Sequence, residues 1–204
     1  MRVAAAVCGL LLFATAGAGA GYVPPEGFVP NSETAVRIAE AMLIARYGER
    51  RVESAKPFSS HLKDGIWHVE EPLNLPPGPG NGITIEVYKE WLEVQVSKLD
   101  AHIISVTVGL TNPVPGENPI EGFVPDSRTA VKIGEAVLVP VYGKAQIESE
   151  LPITAKLKRD TWMVSGTLNC PDSAGRKSDS CDGGVAYVQI SKADGRIIAM
   201  SHGK

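Results

Sequence analysis

Glu26-Gly27-Phe28-Val29-Pro30 returns as Glu121-Gly122-Phe123-Val124-Pro125, 95 positions further along the chain. The echo spreads outward from this pentapeptide. Between residues 26 and 69, 22 of 44 positions are identical to those 95 residues later, with no gap. Further on, Val94-Gln95-Val96-Ser97-Lys98-Leu99-Asp100 returns as Val188-Gln189-Ile190-Ser191-Lys192-Ala193-Asp194 at an offset of 94. That period exceeds the roughly 20–50 residues of solenoid repeats and is the size of a small domain. The chain therefore reads as two tandem copies of one module.

Each copy predicts a helix first. Asn31 and Asp126 follow the shared proline and suit an N-cap. Ala35, Ile38, Ala39, Met42 and Leu43 recur at helical spacing, as do Ala130, Ile133, Gly134, Val137 and Leu138. Tyr47-Gly48 and Tyr142-Gly143 mark the helix ends, and Pro140 is expected to bend or end the second helix early. Strands follow at Phe58–Leu62 and Ile153–Leu157, then at Ile66–Val69 and Thr161–Thr167, with Trp67 and Trp162 at matching places. A third strand is expected over Ile83–Ser97 and Val185–Ser191, and a fourth over His102–Val108 and Arg196–Ser201, with Asp194-Gly195 as a hairpin turn. A helix followed by four antiparallel strands gives an α+β module with the helix across a curved sheet. The divisions are a leader over 1–20, a first module over 21–110, a proline-rich linker over 111–120 and a second module over 121–204.

The leader reads as a cleaved export signal. Arg2 supplies the positive start, Val3 to Thr15 the apolar run, and Ala18-Gly19-Ala20 the small residues before a cut at Gly21. The run is too short to span a bilayer, and Cys8 lies inside it after Val7, which does not fit a lipoprotein site. On this reading the mature protein is expected in the periplasm. It would carry 19 basic and 23 acidic residues, a net charge of −4. That balance offers no footprint for nucleic acid or an anionic membrane, and no other apolar stretch is long enough for membrane insertion. Two cysteines are left, Cys170 and Cys181, an even count that suggests one disulfide in an exported protein. Such a bond would close a short loop and contribute about 3 kcal/mol by loop-entropy arguments.

Reactive groups are sparse. His61, His68, His102 and His202 form no metal-ligand spacing along the chain, and none is shared between copies. Neither a nucleophile elbow nor a phosphate-binding glycine loop occurs. The reading is of a protein without enzymatic activity, cofactor or metal. Glu40 and Glu135 are shared mid-helix carboxylates, suited to a solvated position or salt bridge more than to a pocket. Trp67 and Trp162 suit core anchors more than stacking platforms. Asp182, Gly183, Gly184, His202 and Lys204 occur only in copy two, as recognition elements or as plain turn and tail. The copies also differ between strands two and three, where copy one has the proline-rich run 72–82 and copy two has Cys170 to Cys181.

The second copy resembles a known family. Gly122-Phe123-Val124-Pro125-Asp126, Tyr142-Gly143-Lys144, the Trp162 strand, Asp182-Gly183-Gly184-Val185-Ala186-Tyr187 and His202-Gly203-Lys204 are similar, in order, to immunity proteins of the nuclear-transport-factor-2-like (cystatin-like) fold, found with bacterial polymorphic toxins. Copy one lacks the Gly-Gly-Val-Ala run and the closing His, so recognition is expected mainly in copy two. The resemblance implies a non-enzymatic protein that binds and neutralises a cognate toxin or other exported protein. The Val-x-Val-Ser-Lys-x-Asp strand pattern also looks like PepSY-type modules, which implies an envelope regulatory or protease-binding protein as the alternative.

Overall fold

Asn31 and Asp126 each accept a hydrogen bond from the backbone N–H three residues on, at 2.9 Å from Thr34 and 2.8 Å from Thr129. Each starts a 16-residue helix, α1 over Ser32–Tyr47 and α3 over Ser127–Tyr142. The computed structural model describes residues 21–71, 91–109, 114–115, 119–170 and 183–203. The expected signal segment, the run 72–82, the start of the third strand at 83–90, Cys181, Asp182 and Lys204 lie outside the described residues.

Each helix is followed by a short second one, α2 over Glu49–Ala55 and α4 over Lys144–Ser149. Neither short helix is among the elements the sequence pattern predicts, which run straight from helix to strand. Gly48 and Gly143 take φ of 84° and 87°, which stops the first helix. The chain then restarts just long enough to bury Val52 or Ile147, too short a run for a periodicity to show. Pro140 does not end α3 early. It sits in the last turn, and Gly143 N–H still donates to Val139 O, as Gly48 N–H does to Ile44 O. A proline so near the C-terminus removes one donor without opening the turns before it.

The strands form two antiparallel sheets. The first has the order β1(Ser59–Lys63), β2(Ile66–Glu70), β3(Trp91–Ser97), β4(Ile103–Gly109) and β5(Val114–Pro115). The second has the order β6(Thr154–Lys158), β7(Thr161–Ser165), β8(Ala186–Ser191) and β9(Ile197–His202). Both modules thus carry the expected helix and four-stranded meander. The extra strand β5 comes from the segment read as linker and pairs with β4. β1 and β6 begin one residue later than expected and are mostly exposed edge strands, not half-buried ones.

The opening pentapeptide has a structural role in both copies. Phe28 and Val29 N–H donate to Leu99 and Lys98 O, while Phe123 and Val124 N–H donate to Ala193 and Lys192 O. Gly27 and Gly122, both at φ 81°, lie so close to these turns that a Cβ would collide with Lys98 O or Lys192 O. The indole N–H of Trp67 reaches Val29 O at 2.9 Å, and that of Trp162 reaches Val124 O at 2.8 Å. The tryptophans are core anchors, 8% and 7% exposed, that staple the segment entering each helix to the sheet.

The modules share one core. α1 packs on α3 as well as on its own sheet, which explains an apolar stripe wide enough to bury Thr34 and Ala41 beside Ile38 and Met42. At the junction the contacts are reciprocal. Ile103 N–H donates to Asp194 O (2.7 Å), and Ile197 N–H donates to Asp100 O (2.8 Å). These residues are each other's counterparts in the repeat, so the junction has the self-complementary form of a two-fold dimer within one chain. Register shifts next to Val96 in β3–β4 and Ile190 in β8–β9 leave one extra residue on β4 and β9. Such bulges interrupt the ladder where Ile103 and Ile197 reach across to the other copy.

Candidate functional site

The end of the second sheet gathers most of the copy-two-specific residues. β7 leaves the sheet through Gly166, whose N–H donates to Ala186 O (2.9 Å). Thr167 N–H then donates to Glu150 O (2.7 Å), and the Asn169 amide donates to Ser149 and Leu151 O. This ties Cys170, the residue that opens the variable segment, to the α4–β6 connection. The chain returns at Gly183 and Gly184. Gly184 lies against the backbone of Gly203, where a Cβ would collide. Both ends of the variable segment are therefore fixed to one rigid base.

That base is built around Glu150, 4% exposed. One carboxylate oxygen accepts from the Gln146 amide (2.7 Å) and from His202 Nε2 (2.8 Å); the other accepts from Ala186 N–H (2.6 Å). Burial alone pushes the Glu150 carboxyl up. The bonds donated by Gln146, Ala186 N–H and His202, with the charge of His202, outweigh burial and hold it below its ordinary value. His202 Nδ1 lies 2.6 Å from Gly203 O, and this bond, helped by Glu150, raises the His202 pKa against the opposing effect of burial. The Tyr142 ring leans on the imidazole at 5.2 Å between centroids. Burial, then Tyr22 and Glu150, raise the Tyr142 pKa.

His202 is thus part of β9 and not of a free tail, and its ring is occupied inside the fold. Gly184 lies against Gly203, the residue after His202, and Gly183 has Leu168 as its neighbour; Cys181, Asp182 and Lys204 lie outside the described residues. Glu40 makes a salt bridge with Lys56 at 3.3 Å and, with Glu135, lines the cleft between α1 and α3. Glu150 is the residue that sequence reasoning missed. Its counterpart in copy one is Ala55, so comparing the copies for shared carboxylates passes over it. A cleft of about 420 Å³ at the module junction, lined by residues including His102, Ile104, Ile120 and Asp194, gathers none of the copy-two recognition candidates.

Copy one has a buried carboxylate in the corresponding place, from a different residue. Glu71, 5% exposed, pairs with Arg51 at 2.9 Å. Its counterpart in copy two is Gly166, and a Cβ there would collide with the Glu150 carboxylate. The carboxylate hangs from the helix side in one copy and from the strand side in the other.

Among the described residues no helix is long and apolar enough to cross a membrane. No solved structure matches the chain. A relative, the uncharacterized protein YhhH of Escherichia coli (strain K12), is 30% identical over 89 residues, which is 44% of this chain and 64% of the relative. The chain therefore spans slightly less than two thirds of that relative's length. The profile described as NTF2 fold immunity protein matches twice, over residues 34–107 and again over 129–204. Each match takes in the helix, the tryptophan strand and the closing hairpin of one module, so the chain belongs to the NTF2 fold immunity protein family, as a tandem duplicate.

Proposed function

We propose that this is an exported immunity protein that binds a cognate bacterial toxin and neutralises it by occupancy, without catalysis. The family match through both modules carries the reading, and it favours immunity over the PepSY-type alternative. The state of the ionisable groups supports a binder. Glu71 is spent on Arg51, and Glu150 and His202 are spent on each other and on backbone groups. Groups held this way shape a surface and are poorly placed to exchange protons with a substrate.

Recognition is assigned to the segment from Cys170 to Gly184 together with His202 to Lys204. The structure around Glu150 holds both ends of that segment, and a loop on a rigid base is the usual way a shared scaffold acquires specificity. A Cys170–Cys181 disulfide would stiffen it further. Export rests on the leader, and the periplasm is the expected compartment. Tyr22 N–H donates to Met200 O at 2.9 Å, so a mature chain cut before Gly21 would have its first residues seated on β9.

The deciding experiment is co-expression with a candidate toxin recovered from the envelope fraction with the mature chain as bait. The full chain is expected to restore growth and to form a stoichiometric complex with the purified toxin. Exchange of residues 171–182 for an unrelated loop should abolish both while the fold melts normally. Failure to protect, or a complex indifferent to the exchange, would count against this assignment. N-terminal analysis of envelope protein should read Gly21, and its mass without reductant should lack two protons relative to the free thiols.

A further inference from the structure

We propose that the outer face of the first sheet is a binding site for one borderline divalent transition-metal ion, such as zinc or copper(II), held by His61, His68 and Glu70. Side chains alternate across a strand, so with Trp67 and Val69 turned into the core, His68 and Glu70 of β2 face outward. β1 brings His61 directly opposite His68, while Glu70 stands opposite Ser59, diagonal to His61. The two imidazoles stack at 4.8 Å between centroids with planes 7° apart, and His61 Nδ1 lies 4.0 Å from a Glu70 oxygen. One ligand atom from each of the three residues falls within 4.8 Å of the other two. Donors on a tetrahedral zinc, each ~2.0–2.2 Å from the metal, stand about 3.3 Å apart. Rotation of the exposed His61 imidazole about its soft terminal torsion can close that difference, while His68 keeps its place against Glu93.

A second observation points the same way. His68 Nδ1 is 2.8 Å from Glu93 Oε1, and the Gln95 amide donates to the same oxygen at 3.1 Å. That oxygen is therefore an acceptor, and His68 donates its Nδ1–H to it. The lone pair is left on Nε2. A carboxylate that fixes the far nitrogen of an imidazole in this way is the usual support behind a metal-bound histidine. Two imidazoles and a carboxylate suit zinc, copper(II) or nickel better than magnesium or calcium. Three protein donors leave a coordination position for water or for a side chain of a bound protein. Copy two cannot do this, because its counterparts are Lys156, Met163, Ser165 and Tyr187. The site was invisible along the chain because its ligands converge only through strand pairing.

The test is titration of the full, untagged, chelator-treated chain with zinc and, separately, with copper(II), magnesium and calcium. One equivalent of zinc or copper(II) is expected, with no competition from magnesium or calcium. Copper(II) electron paramagnetic resonance should show coupling to two imidazole nitrogens. His61→Ala should weaken binding about tenfold or more and reduce the coupling to one nitrogen; Glu93→Gln should weaken it about tenfold; His102→Ala should change nothing. His61 is an exposed residue of an edge strand, so its variant tests the site without threatening the fold. No bound equivalent, or binding unaffected by His61→Ala, would overturn the proposal.

Discussion

The two copies bury a carboxylate at the same end of the sheet by opposite routes. In copy one the helix side offers Ala55 and the strand side offers Glu71, paired with Arg51. In copy two the helix side offers Glu150, and the strand side retreats to Gly166, which leaves room for it. The backbone around both is similar, with a cis peptide bond at Lys56-Pro57 in one copy and at Leu151-Pro152 in the other. What the fold maintains at this place is a buried carboxylate, and the position that supplies it is free to move. The arrangement in copy two also recruits His202 and Gln146 and ties down the base of the variable segment.

The sharpest way to break the comparison is at the pentapeptide, where the copies are the same. Gly27→Ala and Gly122→Ala should each cost about 4 kcal/mol, from positive-φ strain together with a Cβ driven into a carbonyl. At ~2–4 °C per kcal/mol, calorimetry should show two similar losses in melting temperature. Because one core joins the modules, each variant should still melt in a single transition. Separate transitions would mean that the copies fold independently.

Next in size is the carboxylate itself. Glu150→Ala imitates Ala55 without supplying a replacement for Glu71, and it strips Ala186 N–H, Gln146 and His202 of their acceptor. A loss of about 3 kcal/mol in denaturant unfolding is expected. Adding Gln146→Arg and Gly166→Glu rebuilds the arrangement of copy one and should recover about half of that loss. If the triple variant is no better than Glu150→Ala, the two carboxylates are not interchangeable.

Smaller again, Trp67→Phe and Trp162→Phe should each cost about 2 kcal/mol. Each removes a hydrogen bond to a buried carbonyl and leaves some unfilled volume. Equal losses in paired melts would support equal roles, and a large inequality would show that one copy carries the core.

The smallest expected effect is on pH dependence. The His202 pKa is raised in the fold, so its contribution is complete below its ordinary value of 6.5 and fades as pH rises through the folded value. The Glu150 pKa is lowered, so its contribution is complete above its ordinary value of 4.5 and fades as pH falls through the folded value. Their joint contribution is therefore greatest between about 4.5 and 6.5, with changes on either side of about 1 kcal/mol or less. Melting curves of Glu150→Gln across pH should be flatter than those of the natural chain on both flanks.

Much of the fold was legible because its causes are local. Caps at Asn31 and Asp126, glycines at 48 and 143, and alternation in the tryptophan strands all act within a few residues. The short helices α2 and α4 were not legible, because six or seven residues hold too little periodicity. For the candidate site, the sequence pointed to Gly183, Gly184 and His202 as peculiar to copy two, and the structure sets Gly184 against Gly203, next to His202. It gave no sign of Glu150, whose importance comes from a space opened by Gly166, 16 positions away.

The sequence by itself determined that there are two copies and which faces of the helices and of the tryptophan strands are apolar, since repetition and periodicity are written along the chain. Only the tertiary structure decided that the copies join in a reciprocal two-fold contact, because that contact depends on bulges that bring Ile103 and Ile197 to the facing copy. It also decided that His61 meets His68, and that Glu150 rather than a shared carboxylate is buried. Pairing across strands and burial behind a missing side chain are distances in space, and spacing along the chain does not record them.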